Sequence, residues 1–235
     1  MRRLLIALLI VCAGVVVRAA IPLGPDAFTG TNGDDLDVYN AAWLKRGEAL
    51  EIQTNAVKHT GAGVNQGIHI WDETVDNFND NQEASWTCTA GLSANEYCAV
   101  GVRGQGTLGT LTLNGYYVVC NDSACHIQEF VNSIAANVCG GSEGSIANGN
   151  KIKISAETSG ANAVLKAYKD TGGGWTQMGS DCTDTTTVHT GGNPWVYIYF
   201  TATTATGDDF NADNLSAGGG AGATGGLLMR GAGGK

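Results

Sequence analysis

The sequence predicts an all-β, antiparallel β-sandwich. Three observations carry this reading. Short runs rich in Val, Ile, Thr and Tyr recur between clusters of Gly, Asn and Asp, the pattern of strands joined by turns. Glycine supplies 35 of the 235 residues and proline only 3, so turns are plentiful and few strands lose a backbone donor. The clearest segments alternate with a period of two, and beyond the N-terminus no stretch shows the 3.6-residue period of an amphipathic helix.

The elements follow in chain order. Met1-Arg2-Arg3 precedes an apolar run from Leu4 to Val17, and Val17-Arg18-Ala19 ends in small residues. This predicts a secretory signal peptide over residues 1–20, too short for a membrane span, and an exported, soluble mature chain. Strands are expected at Leu50 to Thr54, Gly67 to Trp71, Ala84 to Ala90, Tyr97 to Arg103, Tyr116 to Cys120 and His126 to Val131. In Lys151 to Glu157, Ile152, Ile154 and Ala156 take one face and Lys151, Lys153 and Glu157 the other, the signature of a sheet with one wet side. Val164 to Lys169 and Trp175 to Met178 form a hairpin around Asp170-Thr171-Gly172-Gly173-Gly174. Trp195 to Phe200 alternates strictly, with Val196, Ile198 and Phe200 on one face and Trp195, Tyr197 and Tyr199 on the other. Residues 216–235 are a Gly-rich C-terminal tail with too little apolar surface to order itself, and the domain is read as residues 21–215.

Charge and cysteine content narrow the function. The whole chain carries a net charge of −9, and removal of Arg2, Arg3 and Arg18 with the leader makes it three charges more negative. Such a surface disfavours nucleic acid and anionic membranes. Six of the seven cysteines remain after the leader, an even number in an exported chain, so they read as disulfides. Loop lengths favour Cys88–Cys98, Cys120–Cys125 and, by remainder, Cys139–Cys182, although six cysteines permit 15 pairings. No CxxC pair is present, which disfavours zinc.

The segments Pro25 to Gly30, Ala41 to Lys45, Tyr97 to Arg103, Gly115 to Val118, Gly149 to Ile154, Leu165 to Tyr168 and Gly207 to Phe210 come in a familiar order. In that order the chain resembles the LamG-like jelly-roll domains of the concanavalin A-like lectin/glucanase superfamily, over about residues 25–215. The resemblance implies two antiparallel sheets packed face to face, with the first and last strands adjacent. The cysteines lie outside the shared pattern. The superfamily includes lectins, glycan-binding modules, hydrolases and passive spacers, so function has to come from the site.

Three kinds of site were weighed. Laminarinase-like relatives carry catalytic carboxylates as Glu-x-Asp-x-x-Glu on one strand. The nearest segment here, Trp71-Asp72-Glu73-Thr74-Val75-Asp76, does not match, so a non-catalytic protein is expected. Calcium needs 6–8 oxygen ligands. The resemblance places Asp26 beside Asp208 and Asp209, making these three the candidate ligands of a structural calcium ion. Sugar binding needs flat aromatic faces, and Trp195, Tyr197, Tyr199, Trp175, Trp71 and Trp86 are the candidates. The other reading of the Trp195 face is a second buried layer, with its polar tips satisfied by neighbours. The expectation is therefore a secreted carbohydrate-binding or adhesion module whose partner is a glycan or cell-surface polysaccharide. The alternative is a structural module of a surface assembly with no small ligand.

Overall fold

The computed structural model describes residues 23–59, 65–71, 78–106, 112–200 and 205–215. The expected signal peptide, the Gly-rich tail, the acidic segment 72–77 and the side chain of Phe200 lie outside these residues.

The strands, in chain order, begin with β1 (Leu23–Asp26), followed by a single helical turn α1 (Leu36–Tyr39). Next come β2 (Trp43–Lys45), β3 (Leu50–Ile52), β4 (Val57–His59), β5 (Asn65–Trp71), β6 (Gln82–Ala90) and β7 (Glu96–Gly106). The middle of the chain forms β8 (Leu113–Cys120), β9 (Cys125–Val131), β10 (Ile134–Asn137), β11 (Asn150–Ser159) and β12 (Asn162–Asp170). The last three are β13 (Trp175–Asp184), β14 (Asn193–Phe200) and β15 (Thr206–Asn214).

They form two antiparallel sheets. One has eight strands in the order β13-β12-β11-β6-β15-β4-β3, with β1 added beside β15. The other has seven, in the order β10-β9-β8-β7-β14-β5-β2. The first and last strands pair, Leu23 with Ala212 and Asp26 with Phe210. This is a jelly-roll β-sandwich. Each of the ten runs read from the sequence falls on a strand, although Gln53 and Thr54 run past the end of β3 at Ile52. The short elements β1, β2, β4 and β10 and the long β15 had no alternating run to mark them; β1, β2 and β15 rely on pairing partners distant in sequence, and β4 and β10 are short hairpin arms of three and four residues.

The inner faces form the main core. Ile152, Ile154 and Ala156 from one sheet meet Val100, Val118, Val196 and Ile198 from the other, all essentially inaccessible to water. Trp86 fills part of this core, and Gly207 makes room for it: a Cβ there would collide with the indole. Trp43 packs edge-on against Trp71 at 5.2 Å and Phe210 at 4.9 Å.

The three disulfides pair as the loop lengths indicated. Cys88–Cys98 joins β6 to β7, and therefore sheet to sheet. Cys120–Cys125 closes the β8–β9 hairpin. Cys139–Cys182 ties the segment after β10 to β13, the edge strand of the opposite sheet.

A buried polar cluster holds the approach to β14. Arg103 has no solvent exposure. Its guanidinium donates to the carbonyls of Asp80 and His189, both at 2.7 Å, and to the Thr158 hydroxyl at 3.0 Å. Tyr116 donates to Asp184 at 2.6 Å, and the His189 ring lies 3.1 Å from Glu129. A buried charge persists only when its donors are satisfied. The arrangement therefore fixes the loop that delivers Asn193 and Trp195 to the centre of the seven-strand sheet.

Candidate functional site

The outer face of the seven-strand sheet can be built from register alone. Side chains of one parity share this face. On β14 they are Trp195, Tyr197 and Tyr199. Tyr199 pairs with Tyr97 on one side and Gln66 on the other. Tyr197 lies between Ala99 and Ile68, and Trp195 between Gly101 and Ile70. The rows continue outward, Ala99 opposite Val119 and Val119 opposite His126, and Gly101 opposite Tyr117 and Tyr117 opposite Gln128.

The face is graded from dry to wet. At its Trp195 end it is a second apolar core. Trp195 has no solvent exposure and lies over Gly101, where a Cβ would strike the indole. Its indole N–H donates to the Val102 carbonyl at 3.3 Å. Tyr117 stacks on Phe130 at 4.7 Å, and both pack against Trp195. At the Tyr199 end the face opens into a cavity of about 460 Å³ lined by Tyr97, Tyr117, Tyr197 and Tyr199 together with Gln66, Asn121, His126 and Gln128. Tyr97 and Tyr199 are half-buried, their centroids 5.6 Å apart and their rings tilted by 52°. Tyr197, 5 % exposed, stands behind Tyr199 at 6.3 Å.

The polar groups around these rings are held in place. Tyr117 donates to Gln128 at 2.7 Å, and Gln128 donates to Asn137 at 2.9 Å. Tyr97 donates to the Ala94 carbonyl at 3.2 Å, as does the Asn121 amide. His126 Nδ1 lies 2.8 Å from the Gly141 carbonyl. Burial pushes the Tyr117 and Tyr197 hydroxyls far above the usual phenol range, so both stay protonated. Among the described residues the lining contains no Asp, Glu, Lys or Arg. Chemically the cavity offers apolar ring surface, fixed amides, hydroxyls and the His126 imidazole.

Several sequence expectations need correction here. Trp195 presents no ring to solvent, because the second core covers it. Trp71 and Trp86 are 6 % and 0 % exposed and belong to the core between the sheets, so neither can stack on a ligand. Of the six aromatic candidates, Tyr197 and Tyr199 meet in the cavity, and Trp175 lies on the other sheet, 40 % exposed. Tyr97, Tyr117, Gln66 and Gln128 were missed. Each lies on the correct parity of its own strand, but which strands flank β14 is a matter of long-range pairing.

The calcium expectation also needs correction. The first and last strands do bring Asp26 near Asp208. Burial raises the Asp208 pKa, and the charges of Asp209 and Asp26 add to the shift. The carboxylates are otherwise engaged. Asp26 accepts from the Tyr39 hydroxyl at 2.8 Å and from the Phe28 amide at 3.0 Å. Asp209 faces Lys151 at 3.5 Å. Among the described residues no three His, Cys, Asp or Glu side chains converge as metal ligands. The set Asp26, Asp208 and Asp209 therefore does not fit a calcium ion, which needs six or more oxygens. No helix among the described residues is long and apolar enough to cross a membrane.

No protein-family model matches the sequence, and no curated protein matches it. Solved structures do share the architecture. The potassium-bound carbohydrate recognition domain of Emp46p is similar with a TM-score of 0.51 at 10 % identity, over 82 % of this chain and 96 % of that one. The Ca2+-bound exoplasmic/lumenal domain of VIP36 gives a TM-score of 0.51 at 10 % identity, over 82 % and 90 %. At such identity the likeness establishes the fold alone: an antiparallel jelly-roll β-sandwich.

Proposed function

We propose that this chain is a secreted, non-catalytic carbohydrate-binding module of the LamG-like type, which takes a neutral glycan into the tyrosine-lined cavity. One observation carries the reading: a cavity of about 460 Å³ lined by four tyrosines and fixed amide side chains, with no Asp, Glu, Lys or Arg among the described residues that line it. A hexose offers a C–H face and a rim of hydroxyls. The first suits Tyr97 and Tyr199, and the second suits Gln66, Gln128 and Asn121. The lack of Lys and Arg in the described lining favours neutral sugars over uronic or sialic acids, whose carboxylates would be desolvated without a permanent cation. The shared architecture with a carbohydrate recognition domain supports the same class. Calcium at Asp26, Asp208 and Asp209 has no part in it.

The test is binding of the intact protein to an array of neutral and acidic glycans, repeated with Tyr97→Ala and Tyr199→Ala. Each ring is half-buried, so the variants should fold. Each should lose up to about tenfold in affinity, the upper end for a single aromatic contact. Unchanged affinity in both variants would refute the assignment. Failure of the wild type to bind any glycan would leave the structural module as the better reading.

A further inference from the structure

The outer face of the eight-strand sheet carries the only one of the chain's five tryptophans that water reaches freely. Trp43, Trp71, Trp86 and Trp195 are at most 6 % exposed, whereas Trp175 is 40 % exposed. Single exposed apolar side chains are common and by themselves mean little. Trp175 differs because it is held. It starts β13 directly after a turn pinned by Asp170, whose carboxylate accepts from the Gly172 and Gly174 amides at 2.7 and 2.9 Å. The Lys153 ammonium lies over its ring at 5.1 Å and over the Tyr168 ring at 4.8 Å. Lys153 is fixed in turn by Glu83 at 3.0 Å. Its side chain is only 15 % exposed. Two residues along the same face, Gln177 donates to Asp181 at 2.8 Å, setting a planar amide and a carboxylate near the indole.

The ammoniums around this ring are already paired. Lys151 faces Asp209, Lys153 faces Glu83, and Lys166 faces Glu157 and Asp181, all within 3.8 Å. Three ammoniums meet four carboxylates, so the patch does not favour an anionic ligand. It offers a rigid aromatic plane flanked by ordered hydrogen-bonding groups, on the opposite side of the sandwich from the tyrosine cavity.

We infer that Trp175, backed by Lys153 and Tyr168, is a second and independent stacking site for a hexose of a neutral polysaccharide. A single copy of the chain would then grip two polysaccharide strands, one on each outer face, and cross-link them without oligomerising. The inference rests on the glycan-binding reading for its class of ligand, but not on the location of the first site.

The experiment uses the whole chain, its oligomeric state measured by sedimentation before and after each substitution, with three insoluble neutral polysaccharides: mannan, a β-1,3-glucan and a galactan. Fluorescence is the second readout, because Trp175 is the exposed indole. Binding should shift its emission to the blue and shield it from iodide. Trp175→Ala should weaken pull-down about tenfold and abolish agglutination of polysaccharide-coated beads, and Trp175→Tyr should restore both. Tyr199→Ala should likewise abolish agglutination while leaving the fluorescence response in place. The inference is overturned if Trp175→Ala, at wild-type stability, leaves pull-down and agglutination unchanged while Tyr199→Ala weakens them, and the cavity reading then survives alone. It is also overturned if Trp175→Ala dissolves a dimer, which would make this a protein contact. If only Trp175→Ala matters, this site stands and the cavity assignment falls. If the wild type binds none of the three, both fall.

Discussion

The two outer faces of this sandwich start from the same rule and end differently. On both sheets side chains alternate, one parity turned to the shared core. On the eight-strand sheet the other parity is Lys151, Lys153 and Glu157, and it remains a polar surface laced by ion pairs. On the seven-strand sheet the other parity is Ile68, Ile70, Leu113, Tyr117, Phe130, Trp195 and Tyr197, and these close over one another as a second core. One sheet has a wet side; the other is dry through most of both faces and opens only at its Tyr199 end. The difference teaches where a ligand can go. A buried aromatic cluster supplies rigidity, and the cavity opens where that cluster runs out.

The largest test of this contrast compares two tryptophans. Trp195→Ala removes a fully buried indole and should destabilise the protein by about 3–5 kcal/mol. Trp175→Ala should cost only about 0.5–1 kcal/mol, the worth of its cation–π contact with Lys153. Urea unfolding of both variants measures this, and similar values would mean that the seven-strand sheet has no second core. Next comes the covalent tie between the far edges of the two sheets. Replacing Cys139 and Cys182 together opens a loop with a sequence separation of 43, which in the chain-entropy account costs about 4 kcal/mol. Removing Cys120–Cys125, with a separation of 5, should cost about half as much, and calorimetry would rank the two.

A smaller effect follows from the dryness of the seven-strand sheet. His69 on β5 is fully buried, and neither ring nitrogen has a hydrogen-bond partner. Burial, helped by Lys45 and Arg46, lowers its pKa to about 3. The unfolded chain takes up this proton near pH 6.5 and the folded chain does not. Stability should therefore fall as the pH drops through the window between these two values, by about 1.4 kcal/mol per unit. Between pH 6.5 and 4.5 His69→Leu should be spared about 2 kcal/mol of the loss suffered by the wild type. Parallel pH profiles for the two proteins would show that the histidine is hydrated after all.

Much of this architecture was legible before any coordinates. The run Lys151 to Glu157 announced a half-wet strand, and Val196 and Ile198 went to the shared core as their parity required. The disulfide pairs followed from short loops that leave their cysteines few other partners. Less was legible for the site. Tyr197 and Tyr199 were visible because they share one strand. Tyr97, Tyr117, Gln66 and Gln128 were not, because they come from four other strands whose order depends on pairings across the chain. The Asp26 and Asp208 segments met as the resemblance implied, yet Tyr39 and Lys151 engaged the carboxylates that calcium would have needed.

The sequence by itself determined the period-two faces, the even set of cysteines and the all-β class, because each depends on neighbours within a few residues or on a count. Only the tertiary structure decided which second face would be buried. Burial depends on what stands beside a residue in space. Trp195 is dry because Gly101 leaves room beneath it and Tyr117 and Phe130 close around it, contacts that span about half the chain.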